Sequence, residues 1–115
     1  MHELSIIYSI LETAETEVKK QAAPCSVDAI ELEIGDLAGV EVSTLEFLWP
    51  AAVENTVLAQ AACLIRHTSG EANCSQCGTT FQVHQYYDPC PYCGSHLIRV
   101  TKGEELRIKS LTLTT

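Results

Sequence analysis

Two thiol pairs, Cys74-Ser75-Gln76-Cys77 and Cys90-Pro91-Tyr92-Cys93, are separated by 12 residues in a chain of 115. Each pair is followed by a glycine, Gly78 or Gly94. A glycine there lets the backbone fold back and point its N–H groups at the sulfurs. A doubled C-x2-C is the sequence form of a tetrahedral, four-cysteine zinc site. A single pair is compatible with a dithiol redox couple; two pairs, each with its own glycine, are much harder to read that way. Four thiolates leave no position open for water, so the expected Zn2+ is structural rather than catalytic. The window from Cys74 to Cys93 has little apolar surface of its own, only Phe81, Val83, Tyr86 and Tyr87, and must fold around its metal.

A chain of this length fits one ordinary domain, or a small domain plus a metal-stapled module. With 46% hydrophobic and 19% charged residues it is globular rather than disordered. No apolar run is long enough to cross a bilayer, and Met-His-Glu-Leu-Ser lacks the basic start and apolar stretch of a signal peptide. With reduced cysteines, this places the expected location in the cytoplasm. The formal charge is −8, and four bound thiolates with one zinc ion move it to about −10. A phosphate-tracking surface needs clustered Lys and Arg, and the zinc window contains neither. Nucleic acid and membrane are therefore not expected as partners; a protein or a cation is.

Residues 3 to about 22 carry Leu4, Ile7, Leu11, Ala14 and Val18 at helical spacing, and Pro24 marks the end of that pattern. Glu12, Glu15 and Glu17 read as a solvated helix face. From Val27 to Ile34 the period becomes two, with Ile30, Leu32 and Ile34 on one face and Glu31 and Glu33 on the other: a half-buried strand. Ser43-Thr44-Leu45-Glu46 has the form of a capping box opening a second helix through Leu48, Trp49, Ala52, Val53 and Thr56. Pro50 inside it is either tolerated or kinks it. Ala61 to Thr68 reads as a strand, with Ser69-Gly70 as a linker. Leu97 to Val100 and Glu105 to Leu113 are further strand-like runs, turned at Lys102-Gly103. The last run has no thiol and is expected to rejoin the first sheet, making the zinc module an insertion.

His2 beside a free N-terminus offers an amine, a deprotonatable amide and an imidazole, closing five- and six-membered chelate rings around one ion. Nitrogen donors in one plane suit Ni(II) or Cu(II) rather than zinc. A second-position histidine taken alone is otherwise a solvated terminus. His67 and His84 lie on strand-like segments and His96 follows Cys93 by three residues; each reads first as a partly exposed residue rather than a ligand. Cys25 reads as a loop residue and Cys63 as strand packing.

In order, the chain carries Met1-His2-Glu3-Leu4-Ser5, Glu33-Ile34-Gly35, Gly39-Val40-Glu41, the C-x2-C…C-x2-C insert and Gly103-Glu104-Glu105-Leu106-Arg107-Ile108. This resembles the HypA/HybF family of hydrogenase-maturation nickel metallochaperones, over essentially all 115 residues. The resemblance implies that His2 anchors Ni2+ as transported cargo, that Glu3 helps shape that site, and that the Met1 amine or nearby amides complete it. It also implies zinc on Cys74, Cys77, Cys90 and Cys93. The implied fold is α+β: a two-helix, three-stranded-sheet nickel-binding domain (residues 1–69 plus 103–115) with an inserted four-cysteine zinc-ribbon module (residues 70–102). The implied partners are a HypB-type nickel-insertion GTPase and the [NiFe]-hydrogenase large subunit, with monomer and dimer both open. No G-x-x-x-x-G-K loop, activated nucleophile or open zinc site is found, so a carrier rather than an enzyme is expected. The alternative is an acidic zinc-ribbon adaptor that mediates protein contacts without nickel transfer.

Overall fold

The computed structural model describes residues 2–115. The elements run α1 (Glu3–Lys19), β1 (Ser26–Gly35), α2 (Val42–Val53), β2 (Ala62–Thr68), β3 (Glu71–Cys74), β4 (Thr80–Gln82), β5 (Ile98–Lys102) and β6 (Leu106–Thr114). Two three-stranded sheets result, ordered β2-β1-β6 and β4-β3-β5. The architecture is α+β, and the last strand rejoins the first sheet beside β1.

The chain divides into two compact units. One holds the described residues up to Leu32, Val40–Ile65 and Ile108–Thr115; the other holds Glu33–Gly39 and Arg66–Arg107. In the first, α1 and α2 pack together. The inward side chains are Ile6, Ile7, Ile10, Leu11 and Ala14 from α1, and Leu45, Trp49 and Val53 from α2. Val27, Ile30 and Leu32 from β1, with Leu58, complete the unit's buried apolar residues. In β1, Ile30, Leu32 and Ile34 are buried while Glu31 and Glu33 are only half-covered, as the alternation predicts. Strand β6 runs antiparallel to β1: Lys109 pairs with Glu31 at 3.8 Å and Arg107 with Glu33 at 2.8 Å, so the numbers rise on one strand as they fall on the other.

Two local expectations are corrected, and one left open is decided. Leu4 is 39% exposed; Ile6 and Ile10 take the inward stripe beside Ile7, Leu11 and Ala14, and the helix stops at Lys19, short of residue 22. The capping box does not form, because α2 begins one residue before Ser43 and its N-cap is Glu41. The Glu41 N–H is met instead by Glu3 Oε2 at 3.2 Å, from 38 residues away. Pro50 lies inside α2, which nevertheless continues to Val53.

The second unit has a core of Leu37, Ala72, Cys74, Phe81, Val83 and Cys90, with Ile98 and Val100 packed against it. Strand β3 pairs Ala72 with Phe81 of β4 and with Val100 of β5. Tyr86 and Tyr87, expected to help fill this module, are 52% and 75% exposed. Backbones approach closely where the strands enter the unit. A Cβ on Gly35 would stand 2.0 Å from the Gly103 carbonyl oxygen, and the Leu37 N–H donates to that same oxygen at 2.8 Å.

Gly35→Ala should therefore cost about 3 kcal/mol, since the obstacle is backbone that cannot rotate away. Gly39→Ala is the control: Gly39 has φ +75 with open space around it, so only the left-handed penalty of about 1–2 kcal/mol should appear. Urea unfolding of both variants checks the ranking; an equal cost would mean that the close approach is not what excludes a side chain.

Candidate metal centre

The two thiol pairs occupy equivalent turns. In the first, the Cys74 N–H donates to the Thr79 carbonyl at 2.9 Å and the Gly78 N–H to the Cys74 carbonyl at 2.9 Å. In the second, the Cys90 N–H donates to the Ser95 carbonyl at 2.8 Å and the Gly94 N–H to the Cys90 carbonyl at 2.8 Å. Gly78 and Gly94 both have φ 76, a left-handed conformation that a side chain opposes. The repeated Cys-x-x-Cys-Gly text is thus a repeated backbone motif. Strand β3 delivers Cys74 into one turn, and its register with β5 holds Cys74 opposite Ile98, just beyond the other.

All four sulfurs lie within 4.8 Å of one another. The closest pairs cross between the turns, Cys74 to Cys93 at 3.6 Å and Cys77 to Cys90 at 3.7 Å. These are far beyond a disulfide bond of about 2.05 Å. They match the edge of about 3.8 Å that a tetrahedron with metal–sulfur bonds of about 2.3 Å requires. The first cysteine of each pair is buried and the second exposed, so an ion held here would be anchored in the core and capped at the surface. The four cysteines are positioned to bind a metal ion, with no fifth side chain needed.

The thiols differ in acidity. Cys77 is pulled down to about 6, because the Thr79 side-chain hydroxyl and the Thr79 N–H stabilise its thiolate against the opposing effect of burial. Cys74 is lowered chiefly by the Cys77 N–H, 3.5 Å from its sulfur, against burial and with help from the Gln76 N–H. At Cys93 the Ser95 N–H favours the thiolate, but the Cys74 sulfur, burial and the Cys90 and Cys77 sulfurs outweigh it and push the thiol up to about 12. One sulfur ionises readily and the last resists, which is what crowding like charges produces in the absence of a cation.

His67, His84 and His96 are exposed and join no metal-ligating cluster among the described residues. His84 lies in a bend beyond β4 rather than on a strand, and its N–H donates to Asp88 Oδ2 at 2.9 Å. Cys25 is half-buried before β1; Cys63, in β2, is pushed up to about 11 by burial and by the Glu46 carboxylate. His2 is the exposed N-cap of α1; its side chain makes no capping bond, and its carbonyl accepts the Ile6 N–H at 3.2 Å. Met1 lies outside the described residues. The Glu3–Glu41 hydrogen bond brings a second acidic residue, Glu41, to the start of α1. The sequence singled out Glu41 only within Gly39-Val40-Glu41, one of the segments that carry the family resemblance; no local spacing signals a bond spanning 38 residues.

Fold and cluster together define a small α+β protein with a four-thiolate metal centre in its second unit. The family model described as "Hydrogenase/urease nickel incorporation, metallochaperone, hypA" matches residues 1–113. The chain is 43% identical over 113 residues to hydrogenase maturation factor HypA of Parabacteroides distasonis, covering 98% of this chain and 97% of that protein. It is 44% identical over 111 residues to the HypA of Geobacter metallireducens, covering 96% and 97%. Among solved structures it is similar to the Ni metallochaperone HypA from Helicobacter pylori, with TM-score 0.66, 26% identity and 96% of each chain covered. A second HypA solution structure matches with TM-score 0.69 at 26% identity, covering 99% of this chain and 97% of that one. The chain belongs to the HypA family, which its family model describes as metallochaperones for hydrogenase and urease nickel incorporation.

Cys90→Ala should abolish metal retention at this centre and unfold the second unit, because one buried sulfur then leaves both the ligand set and the core; metal analysis after gel filtration reads the outcome.

Proposed function

We propose that this chain is a nickel carrier that binds Ni(II) at its N-terminus and delivers it during maturation of [NiFe]-hydrogenase, with zinc at Cys74, Cys77, Cys90 and Cys93 as a structural ion. The observation that carries the reading is the family match across residues 1–113, supported by a thiol cluster of tetrahedral size. In this reading His2 supplies its imidazole and backbone amide, and Met1 its amine. Glu3 shapes the site, its carboxylate held by the hydrogen bond from the Glu41 N–H. An exposed imidazole not used as a helix cap is free to turn toward an ion. Planar nitrogen donors favour Ni(II) over Zn(II), whereas thiolates in a tetrahedron favour Zn(II), so the two metals sort by geometry.

The partners in this reading are a HypB-type nickel-insertion GTPase and the [NiFe]-hydrogenase large subunit, and the location is the cytoplasm. Among the described residues no helix is long and apolar enough to cross a membrane. The carrier itself performs no reaction: it holds the ion until a better site is offered.

The test is a Ni(II) titration of zinc-loaded protein with an authentic N-terminus, following the d–d absorption of a planar complex. His2→Ala, or extension of the chain before Met1, should abolish specific nickel binding while zinc stays at one per chain. Full nickel affinity in the extended protein would place the site elsewhere. Imidazole, amine and amide must all lose protons to bind, so nickel competes with acid. Lowering pH from about 7.5 to about 6 should release nickel before zinc in equilibrium dialysis. Simultaneous loss would mean that nickel sits at the cysteines.

A further inference from the structure

Helix α2 reads Val-Ser-Thr-Leu-Glu-Phe-Leu-Trp-Pro-Ala-Ala-Val and turns Leu45, Trp49 and Val53 inward. Phe47 is 82% exposed, and Pro50 and Ala51 are exposed with it. Positions 47, 50 and 51 stand at i, i+3 and i+4, so they share one face of the helix and form a continuous apolar strip. A single exposed apolar side chain needs no explanation; a phenylalanine heading a strip on a helix with one charged residue does. Pro50 adds a second feature: it has no N–H, so the Glu46 carbonyl lacks the donor that residue 50 would otherwise supply.

The charges on this helix and at its C-cap have one sign. From Val42 to Glu54 the chain contains no Lys, Arg or His, and the charged residues there are Glu46 and Glu54. Glu54 lies seven residues from Phe47 and so on the same face, and Glu46 borders it; both are exposed.

We propose that the outer face of α2 is a docking surface for a protein that offers an apolar pocket for Phe47 rimmed by Lys and Arg. Charge selects that occupant. A second copy of this chain would set Glu46 and Glu54 against the same acids, and like charges across an interface oppose binding. A phosphate-bearing membrane or nucleic acid is repelled in the same way. A basic rim instead steers encounter toward the strip, and an aromatic side chain filling a desolvated pocket is the usual centre of such an interface.

The choice of probe rests on the nickel-carrier reading. The experiment measures binding of the purified cognate nickel-insertion GTPase to the full, zinc-loaded chain by calorimetry at low and high salt. Phe47→Ala should weaken binding about tenfold or more, while Phe47→Leu retains most of it. Glu54→Lys should weaken it at low salt and flatten the salt dependence. Thermal melting and the nickel titration should be unchanged in all three, which separates loss of docking from loss of fold. Parental affinity in Phe47→Ala overturns the docking surface and leaves nickel carriage standing. Failure of the parent chain to bind overturns the surface and the partnership together, while the nickel titration still judges the carrier reading. A dimer that depends on Phe47, seen by sedimentation, would make a second copy the occupant and overturn the proposal.

Discussion

Four sulfurs within 4.8 Å cannot all carry charge unless a cation stands among them, and the second unit depends on how that repulsion is resolved. Acidity runs from about 6 at Cys77, where Thr79 stabilises the thiolate, to about 12 at Cys93, where the neighbouring sulfurs and burial oppose it. The unit has little else to hold it. Strand β3 has four residues and β4 three, lengths that do not persist without support. Of the six residues in its buried core, two are Cys74 and Cys90 of the thiol cluster. Metal centre and apolar core are therefore one structure, so an ion at the thiols fixes the hairpin register as well as the turns.

The parts of this fold legible in the sequence are those set by local chemistry. The doubled Cys-x-x-Cys-Gly text reads directly as two turns because each needs only its own backbone and a left-handed glycine. Ile30, Leu32 and Ile34 read as a buried strand face because period two has only two faces to choose between. A helix offers more choices. Ile7, Leu11 and Ala14 belong to both the expected and the observed stripe, but the packing of α1 on α2 decides that Ile6 and Ile10, not Leu4, complete it. Ser43 failed as a cap for a related reason: the N–H at the start of α2 is met by Glu3 of another helix, and a local motif cannot announce a distant donor–acceptor pair. Strand β3 escaped notice because Glu-Ala-Asn-Cys carries almost no strand signal, and β4 was read only as a strand-like segment around His84, beyond its actual end at Gln82; the two form where the thiol turns bring them side by side.

The proposed N-terminal site was legible only by resemblance. Nothing in the spacing around His2 separates a chelating terminus from a solvated one. The structure adds two physical facts, an imidazole with no capping duty and a carboxylate, Glu3, fixed to the backbone of Glu41. The second matters because it orders the start of α1 through a contact that does not involve the metal. A site whose neighbours are positioned beforehand loses less entropy when it closes on an ion, and so needs fewer bonds to hold it.

The proposed division of labour between two metals follows from what each donor set can do. Four thiolates around a dication form a closed shell, half of it buried, from which an ion leaves only if sulfurs are protonated and core residues move. Imidazole, amine and amide at an exposed terminus form an open plane, with both faces available to an incoming ligand from another protein. The first arrangement suits retention and the second suits exchange. An ion passed by direct exchange never has to enter water as a free species, so a carrier of this kind needs no reaction of its own. It needs a terminus that other proteins can reach and a fold that keeps that terminus in place.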